Sequence, residues 1–140
     1  MIRIISALIL FASVFVCVQP ALADDQEKLT GVWHSKTSFL GVPSVTLTAL
    51  QADGTFTTTM QASTGFASRR WGNYTVGKGT IRFRFEGHEP TEYCGAKGCE
   101  NISPPTEETV FFRFLNADTI ITMPLECLAE PCDTTATRVR

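Results

Sequence analysis

The sequence predicts an all-β protein, an antiparallel eight-stranded up-and-down barrel, and three observations lead to this fold. Segments of alternating apolar and polar residues, rich in Thr, Val and Ile, recur throughout residues 24–140. This period of two is typical of strands. Glycine-containing turns join the segments over short distances. A meander of about eight such strands hides its edges best by closing into a barrel.

The first element, residues 1–23, is interpreted as a secretory signal peptide. Arg3 precedes an almost wholly apolar run over residues 4–18, and residues 21–23 (Ala-Leu-Ala) have the small side chains of a cleavage site. The run is too short to span a membrane as a helix. The sequence therefore predicts a secreted protein of the periplasm, with residues 24–140 as a single domain and no membrane span.

The charge of the chain disfavours nucleic acid as a partner. There are 12 basic and 14 acidic side chains, a formal net charge of −2, and loss of the signal peptide removes one arginine and no acid. Basic residues are adjacent only at Arg69 and Arg70. A chain with this balance and no basic patch is not expected to bind phosphate backbones.

Eight segments of the mature chain have the pattern of strands, and one short segment is compatible with a helix. Residues 24–29 could form one or two helical turns, with an aspartate as the N-cap. Residues 81–85 alternate between apolar and charged side chains, and residues 110–115 are apolar on both faces apart from Arg113. The predicted strands are residues 30–38, 44–51, 55–62, 67–76, 80–86, 108–115, 119–125 and 133–139.

Strand direction sorts the connections into two ends of the predicted barrel. The tight turns at residues 52–54, 77–79 and 116–118 lie with both termini at one end, which we call the closed end. The opposite end, which we call the open end, receives the connections at residues 39–43, 63–66, 87–107 and 126–132. Binding residues concentrate on loops held by a rigid scaffold, so we expect function at the open end.

The cysteines predict two disulfides. Cys17 lies in the signal peptide and is expected to be removed with it, which leaves an even number in an oxidising compartment. The spacing favours local pairs, Cys94–Cys99 and Cys127–Cys132, because four intervening residues let the chain turn back on itself. Four cysteines allow three connectivities, so cross-linking between the two connections stays possible. A zinc site is a competing interpretation, although structural zinc sites more often use C-x2-C spacing.

Three short motifs resemble a known group of barrels. Residues 29–33 (Leu-Thr-Gly-Val-Trp) resemble the G-x-W signature of the calycin group, which includes lipocalins and lipocalin-like domains. Residues 52–56 (Ala-Asp-Gly-Thr-Phe) and 72–76 (Gly-Asn-Tyr-Thr-Val) are similar to hairpins of small secreted bacterial lipocalin-like domains. The resemblance covers residues 29–86 and implies a lipocalin-like barrel.

The resemblance also implies how the closed end is sealed. In that family the tryptophan of the signature plugs the barrel, and an arginine of the last strand lies over it. The corresponding residues are Trp33 and either Arg138 or Arg140. We therefore expect these residues to form a structural plug, with a cation–π contact between them.

The side chains that enzymes use for catalysis are few and lack catalytic spacing. His34 and His88 are the only histidines, and His34 is expected to point outward from the first strand. His88 begins the long connection, without the H-E-x-x-H spacing of a metal site. Nucleophile-elbow, redox C-x-x-C and phosphate-loop motifs are also missing. We expect no enzyme, no catalytic residue, no metal and no cofactor.

The connections of the open end carry more apolar side chains than surface connections between strands usually do. Phe39, Leu40 and Val42 lie in the first connection, Phe66 in the second and Tyr93 in the third. We predict that these residues surround an apolar pocket under a disulfide-stapled lid. Such a pocket would bind a small hydrophobic molecule.

Two alternatives to this pocket stay open. The apolar side chains could fold over the barrel and seal it, since small eight-stranded barrels are often filled by their own side chains. Residues 86–108 carry six acids against one lysine, so an acidic, aromatic-edged rim could instead bind a cationic protein. The sequence thus predicts a secreted binding protein whose partner is a small hydrophobic molecule or a basic protein.

Overall fold

Eight antiparallel strands close into a barrel in the computed structural model, which describes residues 20–39, 41–126 and 132–140. The elements are α1 (Pro20–Leu29), β1 (Gly31–Phe39), β2 (Val42–Leu50), β3 (Thr55–Ala62), β4 (Ala67–Gly77), β5 (Thr80–Glu89), β6 (Glu92–Gly95), β7 (Gly98–Asn101), β8 (Glu107–Asn116), β9 (Thr119–Pro124) and β10 (Thr134–Arg138). The order around the barrel is β1-β10-β9-β8-β5-β4-β3-β2. The predicted all-β fold and its eight-stranded up-and-down barrel are confirmed.

The barrel strands match the predicted segments to within a few residues, and the largest difference is at β5. This strand was expected to end at residue 86 and continues to Glu89. Trp71 of β4 pairs with Gly87 and Gly72 pairs with Phe85, so Glu86 is an extra residue that forms a bulge in β5. The extra residue lets the end of β5 stay paired with the beginning of β4, so His88 lies opposite Arg70.

The helix α1 is longer than the one or two turns that we expected, because it begins at Pro20. Lys28 and Asp24, four residues apart on its surface, form an ion pair, and Leu29 at its end is fully buried in the barrel. Most of the predicted signal peptide, residues 1–19, lies outside the described residues. Within the part of the chain that the structure describes, no helix is long and apolar enough to cross a membrane.

The strands β6 and β7 form a separate two-stranded hairpin that the sequence did not predict. It lies inside the connection that we expected to be a long loop, and all of its residues are exposed. Each strand has only four residues, so neither shows the alternation of a half-buried strand. The disulfide between Cys94 and Cys99, which face each other across the hairpin, joins the two strands.

The hydrophobic core occupies the closed end of the barrel. Its buried members come from α1 and all eight barrel strands, and Phe56 lies on its side toward the open end, with ring centroids 4.8 Å from Phe83 and 5.4 Å from Phe85. The buried residues of this core are Leu29, Trp33, Leu50, Phe56, Tyr74, Ile81, Phe112, Ile120 and Ala136. The interior on the open side of Phe56 has no comparable cluster among the described residues.

Trp33 and Arg138 are in contact at the closed end. The indole is 2% exposed, and its Nε1 donates a hydrogen bond of 2.7 Å to the carbonyl oxygen of Leu29. The guanidinium of Arg138 lies 4.4 Å from the centroid of the indole. Arg140 is mostly exposed and forms an ion pair with Asp118. Of the two arginines proposed to cover the tryptophan, Arg138 is the one that does so.

Candidate ligand-binding cavity

A cavity of about 620 Å³ occupies the open end of the barrel, beyond the core. Its walls come from strands β2, β3, β4 and β5, and its mouth is bordered by the segments on either side of the β6–β7 hairpin. The lining residues are Val42, Thr46, Thr58, Met60, Ala62, Thr64, Phe66, Ser68, Arg70, His88, Glu89, Pro90, Tyr93, Ile102 and Pro104. Most of the lining is apolar or carries a single hydroxyl group.

Three of the five residues predicted to bind a ligand line this cavity. They are Val42, Phe66 and Tyr93, and the rings of Phe66 and Tyr93 meet edge to face with centroids 6.0 Å apart. Phe39 ends β1 and is paired there with Val42. Leu40 lies outside the described residues. Three separate connections are therefore brought to one mouth.

The strand register explains which side chains enter the cavity. Thr46 is paired with Met60, and Met60 with Ser68, so these residues form one row across β2, β3 and β4. The next row toward the core holds Thr58 and Arg70. Because alternate residues of a strand share one face, both rows point inward together with the buried Phe56.

Hydroxyl groups and one guanidinium form a polar belt at the inner end of the cavity. The hydroxyl oxygens of Thr48 and Thr58 are 3.1 Å apart and hydrogen-bonded. The guanidinium of Arg70 lies 4.7 Å from the centroid of the Phe85 ring, a cation–π contact that holds it against the core. A bound molecule would therefore meet polar groups at the inner end of the cavity and apolar ones at its mouth.

His88 helps to hold the long connection over the barrel. Its Nε2 lies 3.1 Å from the carbonyl oxygen of Ile102, across the base of the β6–β7 hairpin. The backbone nitrogen of Ile102 in turn donates to the carbonyl oxygen of Thr91 at 2.9 Å. These bonds bring Ile102 to the mouth of the cavity. His34, the other histidine, lies on β1, outside the cavity lining.

The hairpin that borders the mouth contains the Cys94–Cys99 disulfide, as expected from the local spacing. Cys132 is also disulfide-bonded, and Cys127, its predicted partner, lies outside the described residues. The sulfurs of Cys94 and Cys99 lie close to the carboxylate of Glu92, within 4.8 Å. Because the two sulfurs are bonded to each other, they are not thiolates, and this group does not have the donor set of a zinc site.

The polar belt was missing from the predicted site. Thr58 and Arg70 of this belt are on strands, as are Thr46 and Ser68 of the row nearer the mouth, whereas we expected binding residues only in the connections. A signal for them existed in the alternation of β3, where Thr58 shares a face with Phe56. It identifies the inner face of the strand, but the sequence does not show how far the core extends along it.

Comparisons of the chain with known proteins give no assignment. No protein-family model matches the sequence, and a search of curated proteins finds no match. The cavity and the residues around it are therefore the features that bear on function.

Proposed function

We propose that the mature chain is a non-enzymatic, lipocalin-like binding protein that holds a small apolar molecule in the cavity of the open end. The observation that carries this proposal is the cavity itself, because its volume of about 620 Å³ lies in the range of ligand pockets. Five separate side chains at its mouth, Val42, Phe66, Pro90, Tyr93 and Ile102, are largely apolar. Their burial by a ligand would supply the affinity.

A binding role is favoured over a catalytic one by the chemistry of the lining. The histidine in the cavity, His88, is engaged with the carbonyl oxygen of Ile102. The neighbouring Ser68 and Thr58 have no histidine among their hydrogen-bond partners in the described residues. Hydroxyls in this setting act as hydrogen-bonding groups rather than as activated nucleophiles.

The first test asks whether filling the cavity prevents binding. Thr58 points into the cavity, whereas Thr59 lies on the exposed outer face of the same strand. We expect Thr58→Phe to weaken binding of the uncharged fluorophore N-phenyl-naphthylamine by about tenfold or more, because the new ring takes up the space of the ligand. Fluorescence titration of the purified mature protein measures this affinity.

The matched control is Thr59→Phe, which adds the same ring on the outside and should leave the affinity unchanged. Circular dichroism shows whether both variants keep the barrel. Equal binding by the two folded variants would contradict the proposal that the ligand occupies the cavity.

We propose further that the protein is exported to the periplasm. Support comes from the signal-peptide pattern of residues 1–23 and from the disulfides, which persist in oxidising compartments. Cleavage after Ala23 would shorten α1 but leave Leu29 in the core. We expect the secreted form to begin at Asp24 and to contain no reduced cysteine. Intact-mass measurement with and without alkylation checks this, and a mass that includes residues 1–23 would refute it.

A second candidate function is supported by the exposure of the β6–β7 hairpin. Tyr93 is 55% exposed, and Glu92 and Glu100 flank the disulfide on the same hairpin. An acidic surface with an aromatic residue suits a cationic protein partner. Thr58→Phe would leave such an interaction intact, whereas Tyr93→Ala would weaken it, so the two variants separate the two candidates.

A further inference from the structure

Arg70 and Glu108 place opposite charges beside the inner end of the cavity. Arg70 belongs to the cavity lining, and Glu108 extends from β8 toward it. Nη1 of Arg70 and Oε2 of Glu108 are 4.0 Å apart, which is longer than a hydrogen bond. About a third of each side chain is exposed, 34% and 37% respectively.

Both charged groups retain unused hydrogen-bonding capacity. A guanidinium has five N–H donors and a carboxylate has several acceptor positions. Within the described residues, Arg70 contacts the ring of Phe85 and the distant carboxylate of Glu108, and neither charged group forms a hydrogen bond. The gap between them is therefore a position for a polar group that bonds to both sides.

The charges around this gap select against an ionised ligand. A carboxylate that bonds to Arg70 would lie close to the carboxylate of Glu108. Like charges repel strongly in a partly desolvated site. An ammonium that bonds to Glu108 would be repelled by Arg70 in the same way.

We propose that the ligand is an amphipathic molecule with an uncharged amide-type head and an apolar tail. The head bridges Arg70 and Glu108, and the tail is directed to the mouth of the cavity. The amide carbonyl accepts from Arg70 while the amide N–H donates to Glu108, so both charges gain a partner and no net charge is buried. This inference rests on the proposed function, since it concerns the same cavity.

The experiment compares three probes that share one tail and differ in the head. Decanamide, decanoate and decylammonium are titrated against bound N-phenyl-naphthylamine. We expect decanamide to displace the fluorophore from the wild-type protein at about tenfold lower concentration than either ion, because each ion is repelled by one of the two charged residues whereas the amide bonds to both.

Two variants should change this order in opposite directions. Glu108→Gln removes the negative charge, so decanoate should gain about tenfold and reach or pass decanamide. Arg70→Met keeps an unbranched side chain and removes the guanidinium with its positive charge, so decylammonium should gain and decanamide should lose affinity. A reversal of this kind follows from charge in the cavity and not from a general loss of structure.

Matched controls lie one residue away on the outer face of the barrel. Arg69→Met removes a guanidinium that contacts Trp71. Glu107→Gln removes a carboxylate that accepts a hydrogen bond from Arg82, a bond that lowers the pKa of Glu107. Both controls should keep the wild-type order of the three probes.

The outcomes separate this inference from the proposed function. In the first outcome, N-phenyl-naphthylamine binds and Thr58→Phe abolishes its binding, but the three probes compete equally or keep the same order in all variants. The amide-type head is then wrong, and binding in the cavity stands. If the fluorophore does not bind the folded wild-type protein, the proposed function and this inference both fail. A preference for decanoate in the wild-type protein would also overturn the inference.

Discussion

Trp33→Ala should destabilise the barrel by about 3–5 kcal/mol, as truncation of a large aromatic side chain in a core does. The indole is 2% exposed and seals the closed end between Leu29 and Arg138. Its loss leaves a cavity, removes the hydrogen bond to the Leu29 carbonyl and leaves the guanidinium of Arg138 without its aromatic contact. Urea unfolding followed by circular dichroism measures the change in the free energy of unfolding.

Trp71→Ala is the control for this experiment. Trp71 is a residue of β4 that is only half-buried and contacts Arg69 on the outer surface. We expect its removal to cost clearly less than the removal of Trp33, since little buried surface is lost. A loss below about 1 kcal/mol for Trp33→Ala would show that the indole does not seal the barrel.

Gly72→Ala should destabilise the barrel by at least about 3 kcal/mol, above the ordinary cost of adding one methyl group to a core. Gly72 is buried in β4, opposite Phe85 and next to the bulge in β5. A Cβ at this position would lie 2.0 Å from the carbonyl oxygen of Arg84 and 3.0 Å from the backbone nitrogen of Glu86. Both obstacles are backbone atoms, so β5 itself would have to move.

Gly95→Ala is a suitable comparison, because Gly95 is also in a strand. Its added Cβ would meet only the side chain of Tyr93, at an ordinary contact distance of 3.4 Å. We expect its midpoint of urea unfolding to match that of the wild-type protein. Should Gly72→Ala show the same midpoint as Gly95→Ala, the close approach of β4 and β5 at the bulge would be disproved.

Much of the architecture was predictable because it depends on short-range patterns. Alternation with a period of two, β-branched composition and turn residues predicted the eight barrel strands, and the Asp53-Gly54 turn joins β2 to β3 as expected. The chain direction then assigned each connection to an end. The β6–β7 hairpin escaped prediction, since its short exposed strands have no buried face to produce a pattern.

The candidate site was predictable only in part. The apolar residues of the connections indicated Val42, Phe66 and Tyr93, because clusters of apolar side chains on a surface often mark a binding site. The polar belt was not found, since threonines on a strand have the same sequence pattern whether they face solvent or a cavity. Arg69 and Arg70 are adjacent, yet one contacts an outer tryptophan and the other lines the cavity.

The sequence by itself determined the strands, their antiparallel order and the closed and open ends, and it favoured the local Cys94–Cys99 pair, because each depends on residues close together in the chain. Only the tertiary structure decided that the core stops near Phe56 and leaves a cavity beyond it. That outcome depends on side chains from strands far apart in sequence, such as Arg70 on β4 and Glu108 on β8. Their meeting is set by barrel closure and by the bulge in β5, neither of which leaves a periodic pattern in the sequence.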